Sequence, residues 1–225
     1  MTEEAIISEY LSFLDNKQFP CIAAKAAAAR GHIKCLVIEH MACPKDDHLI
    51  LQFIYDFVDV YRNSKKAFHS AAILFKKPDI QNEKQFDALL WQKLAALRDL
   101  DRQKYNYDPR VDDDPASGKY SFSLKEEAFF IIGVHPASNR SARKFSFPAL
   151  VFNPHAEFEK LRQVNRYDQM KKVVRKRDLA FSGTVNPMLK DYGEASEVYQ
   201  YSGIQYGRDW KCPLTKDDGN TNHNS

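Results

Sequence analysis

Short, unbroken apolar runs alternate along this chain with longer stretches in which apolar residues recur every three or four positions. The first such stretch puts Ile6, Ile7, Tyr10, Leu11 and Leu14 on one face of a helix predicted over residues 3–16. Thr2 caps that helix and Gln18-Phe19-Pro20 breaks it. Residues 21–30 are a strong helix former, rich in alanine and ended by Gly31. Its small side chains let another backbone or a flat ligand come close, and tight helix packing explains them equally well. Leu49, Ile50, Phe53, Ile54, Phe57, Val58 and Tyr61 mark a helix over 45–63, and Phe86, Leu89, Leu90, Leu94 and Leu97 another over 83–100, with Trp91 beside the stripe. Residues 35–38, 70–75, 129–134 and 148–152 have the length and the β-branched or aromatic content of buried strands, and 120–123 reads as an edge strand or lid.

Beyond His155 the spacing predicts a helix over 156–164 with Phe158 and Leu161 inward. Residues 167–181 carry Lys171, Lys172, Arg175, Lys176 and Arg177, read as a solvated helix face, with an anion or nucleic-acid patch as the other reading. After Gly183 the chain turns irregular and aromatic, and 199–214 is expected to fold back as a lid. Helices and strands alternate early and two strands then follow each other directly. The expected fold is therefore α+β or α/β, a small mixed sheet of four or five strands flanked by helices. No linker or repeat divides the chain, so residues 1–214 are expected to form one domain and 215–225 a disordered polar tail.

The length of 225 residues is enough for a sizeable core, and 44% hydrophobic content fits a soluble globular protein. A net charge of +3 is too small to argue for nucleic acid by itself. The N-terminus is unlike a secretory signal and no apolar run approaches the ~20 residues that span a bilayer. A cytoplasmic protein without membrane association is expected. Cys21, Cys35, Cys43 and Cys212 show no CxxC pairing and read as buried thiols.

Motifs for nucleotide binding, serine hydrolysis and zinc proteolysis are absent. The candidate chemistry falls on residues 129–162, where two apolar runs each end in a histidine, His135 and His155, around the basic loop Ser138-Asn139-Arg140-Ser141-Ala142-Arg143-Lys144. Two histidines and three cations at strand mouths suit an anionic cofactor or substrate over an apolar floor. His135 leaves its strand before Pro136 and reads as an iron ligand, a general base or a structural residue. His155 opens a helix, where a lowered pKa favours the neutral, ligating form. Cys212, before Pro213, could offer a thiolate. Arg140 and Arg143 suit bidentate pairing with carboxylate or phosphate, helped by the Ser138 hydroxyl, or else form an exposed turn. The run Asp112-Asp113-Asp114 reads as a solvated loop before a metal site, because adjacent residues on an extended chain point apart.

The set Phe19-Pro20-Cys21, Gly133-Val134-His135-Pro136-Ala137-Ser138-Asn139-Arg140, Pro148-Ala149-Leu150-Val151-Phe152-Asn153-Pro154-His155, Phe158-Glu159-Lys160-Leu161-Arg162, Tyr201-Ser202-Gly203 and Trp210-Lys211-Cys212-Pro213 resembles the YqcI/YcgG family over most of the chain. Some relatives in natural-product pathways are haem-dependent oxygenases that hydroxylate a guanidine nitrogen of arginine-like compounds. The resemblance implies a b-type haem, O2 as co-substrate, an external reductant from an unidentified electron donor and N-hydroxylation of a guanidino or amino nitrogen. It implies His135 as first choice for the iron, His155 second and Cys212 third, with Arg140, Arg143 and Ser138 at the haem. Asp112, Asp113 and Asn139 fall to an arginine-like substrate, Asn139 standing where the family form has serine. A non-catalytic haem sensor or carrier, or a phosphate- or nucleic-acid-binding protein without haem, are the alternatives. The oligomeric state is open, a homodimer included.

Overall fold

The computed structural model describes residues 1–163, 165–184, 193–207 and 209–215. Thr2 accepts the Ala5 N–H and starts helix α1, Glu3–Asp15, and Cys21 caps the alanine-rich α2, Ile22–Ala29. Strand β1, Ile33–His40, is followed by α3, Asp47–Arg62, and by β2, Ser70–Lys77, which pairs parallel with β1. Helix α4, Glu83–Asp101, starts from an Asn82 cap and leads through a loop to β3, Phe122–Leu124. A tight turn at Lys125 and Glu126 joins β3 to β4, Glu127–Val134. Strand β5, Ala149–Pro154, runs straight into α5, His155–Gln163, and α6 spans Tyr167–Ser182. The five strands lie in the order β1-β2-β5-β4-β3, with β5 antiparallel to both neighbours. The fold is α+β with a mixed five-stranded sheet, as the alternation of the sequence predicts. Element ends differ from that expectation by a few residues, the usual scatter of terminal hydrogen bonding. The basic run is helical, and the expected polar tail lies outside the described residues except for Thr215.

Strand side chains alternate between faces, and here both faces are covered. On one face Phe129, Ile131, Leu150, Phe152, Ile73 and Phe75 pack with Ile50, Ile54, Phe86 and Leu90 from α3 and α4. Each fully buried phenylalanine contributes about 1.5–3 kcal/mol of transfer free energy. A buried ion pair, Lys93 with Asp47, ties α4 to the start of α3, and Lys93 also donates to the Cys43 carbonyl at 2.9 Å. On the other face Ala72, Leu74, Val134, Ala149 and Val151 meet Ile6, Tyr10, Leu14 and Phe19 around α1. That second face is only partly filled. Helices α1, α2, α5 and α6 roof it and leave a cavity of about 300 Å³.

Gly133 shows why β4 can sit so close to α4. A Cβ there would lie 2.5 Å from the Phe86 ring, so glycine lets that ring close onto the strand and stack on His135 at 4.2 Å.

Candidate functional site

The cavity floor follows from strand alternation. Phe130, Ile132 and Val134 of β4 and Val151 and Asn153 of β5 point into it. Ala23, Ala24 and Ala27 of α2 form one wall, and the alanine run also lets α2 pack against the α1 side of the core. Met170 and Val174 of α6 add apolar cover from the helix that carries the basic run.

The two histidines that the sequence groups together are separated twice over. First, β4 and β5 are antiparallel, with Phe129 opposite Pro154 and Val134 opposite Ala149. The residues after Val134 and after Pro154 thus leave opposite ends of the pair, about 17 Å apart at five register steps. Second, the parity that turns Val151 and Asn153 into the cavity carries His155 there too, whereas His135 shares the parity of Phe129 and Ile131. His135 is 1% exposed and lies under Phe86, outside the cavity lining. Burial and the nearby Arg143 hold its pKa down to about 4. The expected single basic, histidine-bearing rim is thus replaced by two ends of one elongated cavity.

At the His155 end the chemistry is acid and imidazole. His155 Nε2 lies 3.2 Å from Glu159 Oε1, which also takes an N–H of Arg162. Its Nδ1 faces Glu197 Oε2 at 3.9 Å. Burial is the main cause lowering the His155 pKa, with the Glu159 carboxylate opposing. The neutral form expected at a helix start is favoured, but by desolvation first. Glu197 stands on a short 3₁₀ turn, Glu197–Gln200, and accepts from Ser121 Oγ at 2.8 Å and Tyr201 OH at 2.5 Å. Burial pushes its pKa up to about 8 against those two hydrogen bonds, so the carboxyl is protonated at neutral pH. His69 and Glu157 line the same end.

At the other end sit Arg140 and Arg143. Arg140 pairs with Asp178 of α6 at 2.5 Å and reaches the Thr184 carbonyl at 3.2 Å. Arg143 donates to the carbonyls of Gly133, Tyr201 and Gln200 at 3.1, 2.9 and 2.5 Å. Burial pushes its pKa down to about 10, the mark of a guanidinium that lacks a close carboxylate. Gly203, at φ +87°, makes room for it: a Cβ there would be 2.7 Å from Arg143 Cδ.

The other expected site residues lie elsewhere. The Ser138 hydroxyl is buried and accepts the Arg140 N–H at 3.2 Å. Asn139 is tied through backbone and amide to Glu83 of α4. Asp112 accepts from Ser117 Oγ at 2.5 Å within its own loop, and neither it nor Asp113 lines the cavity. Cys212 belongs to the core on the opposite face, and burial raises its thiol to about 11, away from the thiolate form. The expected lid also packs mainly on that face, where Tyr206 stacks on Trp210, Tyr199 meets the same ring at a tilt, and Trp210 meets Trp91 of α4 at 5.7 Å. Only Gln200 and its neighbour Glu197 reach the cavity from that turn. Among the described residues no cluster of three or more His, Cys, Asp or Glu side chains is placed to hold a metal ion, and no helix is long and apolar enough to cross a membrane.

Glu197, Glu157 and His69 are cavity residues that sequence reasoning passes over. For His155 the signal was available, since counting in twos from Val151 gives its face and counting from Phe129 gives the opposite face for His135. Glu197 left no such signal, because it arrives on an irregular segment.

The profile of the YqcI/YcgG family matches residues 10–215. The uncharacterized protein YqcI of Bacillus subtilis strain 168 is 24% identical over 222 residues, covering 95% of this chain and 82% of that protein. No solved structure matches the chain at a significant level.

Proposed function

The chain belongs to the YqcI/YcgG family, and from that premise we propose that it is a haem-dependent monooxygenase that uses the roofed cavity to hydroxylate a nitrogen of a small amino-acid-like molecule. The observation that carries the reading is His155: a neutral imidazole, beside the Glu159 carboxylate, facing an apolar cavity walled by alanines. A ring nitrogen whose partner nitrogen is held by a carboxylate is the usual setting of a metal-bound histidine, since the carboxylate fixes ring orientation and raises ligand basicity. His155 therefore takes the place of His135 as the residue that would hold the iron. The apolar floor of Phe130, Ile132 and Val151 suits a flat macrocycle.

Bound haem would supply oxygen activation with electrons from an external donor. The chain supplies the rest. Phe130, Ile132 and the alanine wall exclude water from the cavity centre. Glu197 holds a proton at neutral pH within 3.9 Å of His155 and so adds no second negative charge beside the ring. Arg140 is paired with Asp178, and Arg177 donates to the Lys17 and Phe19 carbonyls. An arginine-like small molecule, a separate electron donor and a cytoplasmic setting complete the proposal.

The test is the absorption spectrum of purified protein after haem supply, repeated for His155→Ala, His135→Ala and Cys212→Ala. A Soret band that is lost or displaced in His155→Ala, and kept in position by the other two, is the expected result. No band in the wild type, or an unchanged band in His155→Ala, overturns the proposal. Product formation dependent on O2 and reductant then separates an oxygenase from a haem carrier.

A further inference from the structure

Glu157 and His69 face each other at the acidic end of the cavity and are incompletely satisfied there. Glu157 is 6% exposed and His69 9%, and both line the void. Glu157 Oε2 takes the Phe68 N–H at 3.0 Å. To deliver that N–H, Phe68 holds φ at +64°, a left-handed conformation that non-glycine residues seldom adopt. The carboxylate is thus fixed in place despite local backbone cost. Its other oxygen, Oε1, lies 3.6 Å from His69 Nδ1, beyond ordinary N–H···O range, and neither atom has a hydrogen-bond partner among the described residues.

His69 does not neutralise the carboxylate. Burial outweighs Glu157 in setting its charge, and the His32 ring stacked on it at 4.9 Å adds to that effect. The ammonium of Lys160, the cation nearest in sequence, lies over the Tyr61 ring at 5.4 Å. Among the described residues Glu157 has no ion-pair partner apart from His69. A buried carboxylate with one backbone donor and no cation is costly, and the missing complement is a positive charge that brings its own N–H groups.

We infer that Glu157 and His69 form a recognition pair for a cationic nitrogen group, ammonium or guanidinium, at one end of the cavity's ligand. One N–H would donate to Glu157 Oε1 and a second to His69 Nδ1, satisfying both unpaired atoms at once. The inference rests on reading the cavity as the ligand site and deepens the proposed activity by naming the residues that select for charge. Haem need not be present for it to hold.

The experiment is calorimetric titration of the purified full chain with butylguanidinium, butylammonium and, as the uncharged control, butanol. Butylguanidinium or butylammonium should bind at least tenfold more tightly than butanol, and the stronger of the two identifies the preferred head group. Glu157→Gln should lose at least tenfold in affinity for the cation with butanol unaffected, whereas Glu157→Asp, which keeps the charge, should retain most of it. Circular dichroism confirms that each variant is folded. Equal binding of cation and alcohol, no binding of any probe, or equal losses in Glu157→Gln and Glu157→Asp overturn the inference. The haem spectrum separates the two proposals: a wild type that takes up no haem but discriminates the cations refutes only the haem reading, and the converse refutes only this one.

Discussion

Replacing Glu197 by glutamine should change how stability depends on pH. Glu197 is buried beside His155 and its pKa rises from an ordinary 4.5 to about 8. The native state then binds a proton that the unfolded chain releases between those two values. Stability from this group is fully present below pH 4.5 and is lost as pH rises towards 8. At about 1.4 kcal/mol per pH step, the full interval amounts to about 5 kcal/mol, and the part between pH 5 and pH 8 to about 4 kcal/mol. Glutamine keeps an oxygen to accept from Tyr201 and Ser121 but does not titrate. His69 and His155 run the other way, because their lowered pKa values make folding more favourable as pH rises to 6.5. The wild-type curve therefore mixes opposing effects, and only the difference between the two proteins isolates Glu197. Urea unfolding of haem-free wild type and Glu197→Gln at half-unit steps from pH 5 to pH 8.5 measures it. The variant should gain on the wild type across that range by up to the amount above. Parallel curves would falsify the burial argument and with it the claim that Glu197 keeps its proton at pH 7.

Two further outcomes follow from packing. Lys93→Met should destabilise the fold by about 3–5 kcal/mol, because it leaves Asp47 buried without its cation. The double variant Lys93→Met/Asp47→Leu should recover most of that loss in thermal melts, and failure to recover would show that the pair does more than compensate charge. Gly203→Ala should cost about 1–3 kcal/mol, since its Cβ meets Arg143 Cδ at 2.7 Å and its φ of +87° disfavours any side chain. A melting temperature within a degree of wild type would show that Arg143 has room to move.

Most of the framework is legible in residue order. Stripes such as Phe86, Leu90, Leu94 and Leu97 give the helices, and the runs around Ile131 and Val151 give the central strands. The alanine run of α2 reads as close approach, and in the fold it lines the cavity and packs on the α1 side of the core. The pairing of His135 with His155 was the misleading step. Their similar positions after two strands suggest one mouth, but an antiparallel register sends them to opposite ends and period-two alternation to opposite faces. The basic loop carried a similar trap. Arg143 looks like an exposed anion binder, yet three carbonyls draw it into the interior. Local sequence does not encode such long-range acceptors.

By itself, then, the chain determined what depends on neighbours within a turn or a strand: helix caps, apolar stripes, the α+β class and family membership through its motifs. Tertiary structure decided what depends on distant segments meeting. The Glu197–His155 proximity joins an irregular late segment to the β5–α5 corner, and the Glu157–His69 pair joins α5 to the loop before β2. Whether a carboxyl keeps its proton or an imidazole stays neutral is set by desolvation, and desolvation exists only once helices α1, α2, α5 and α6 close over the sheet.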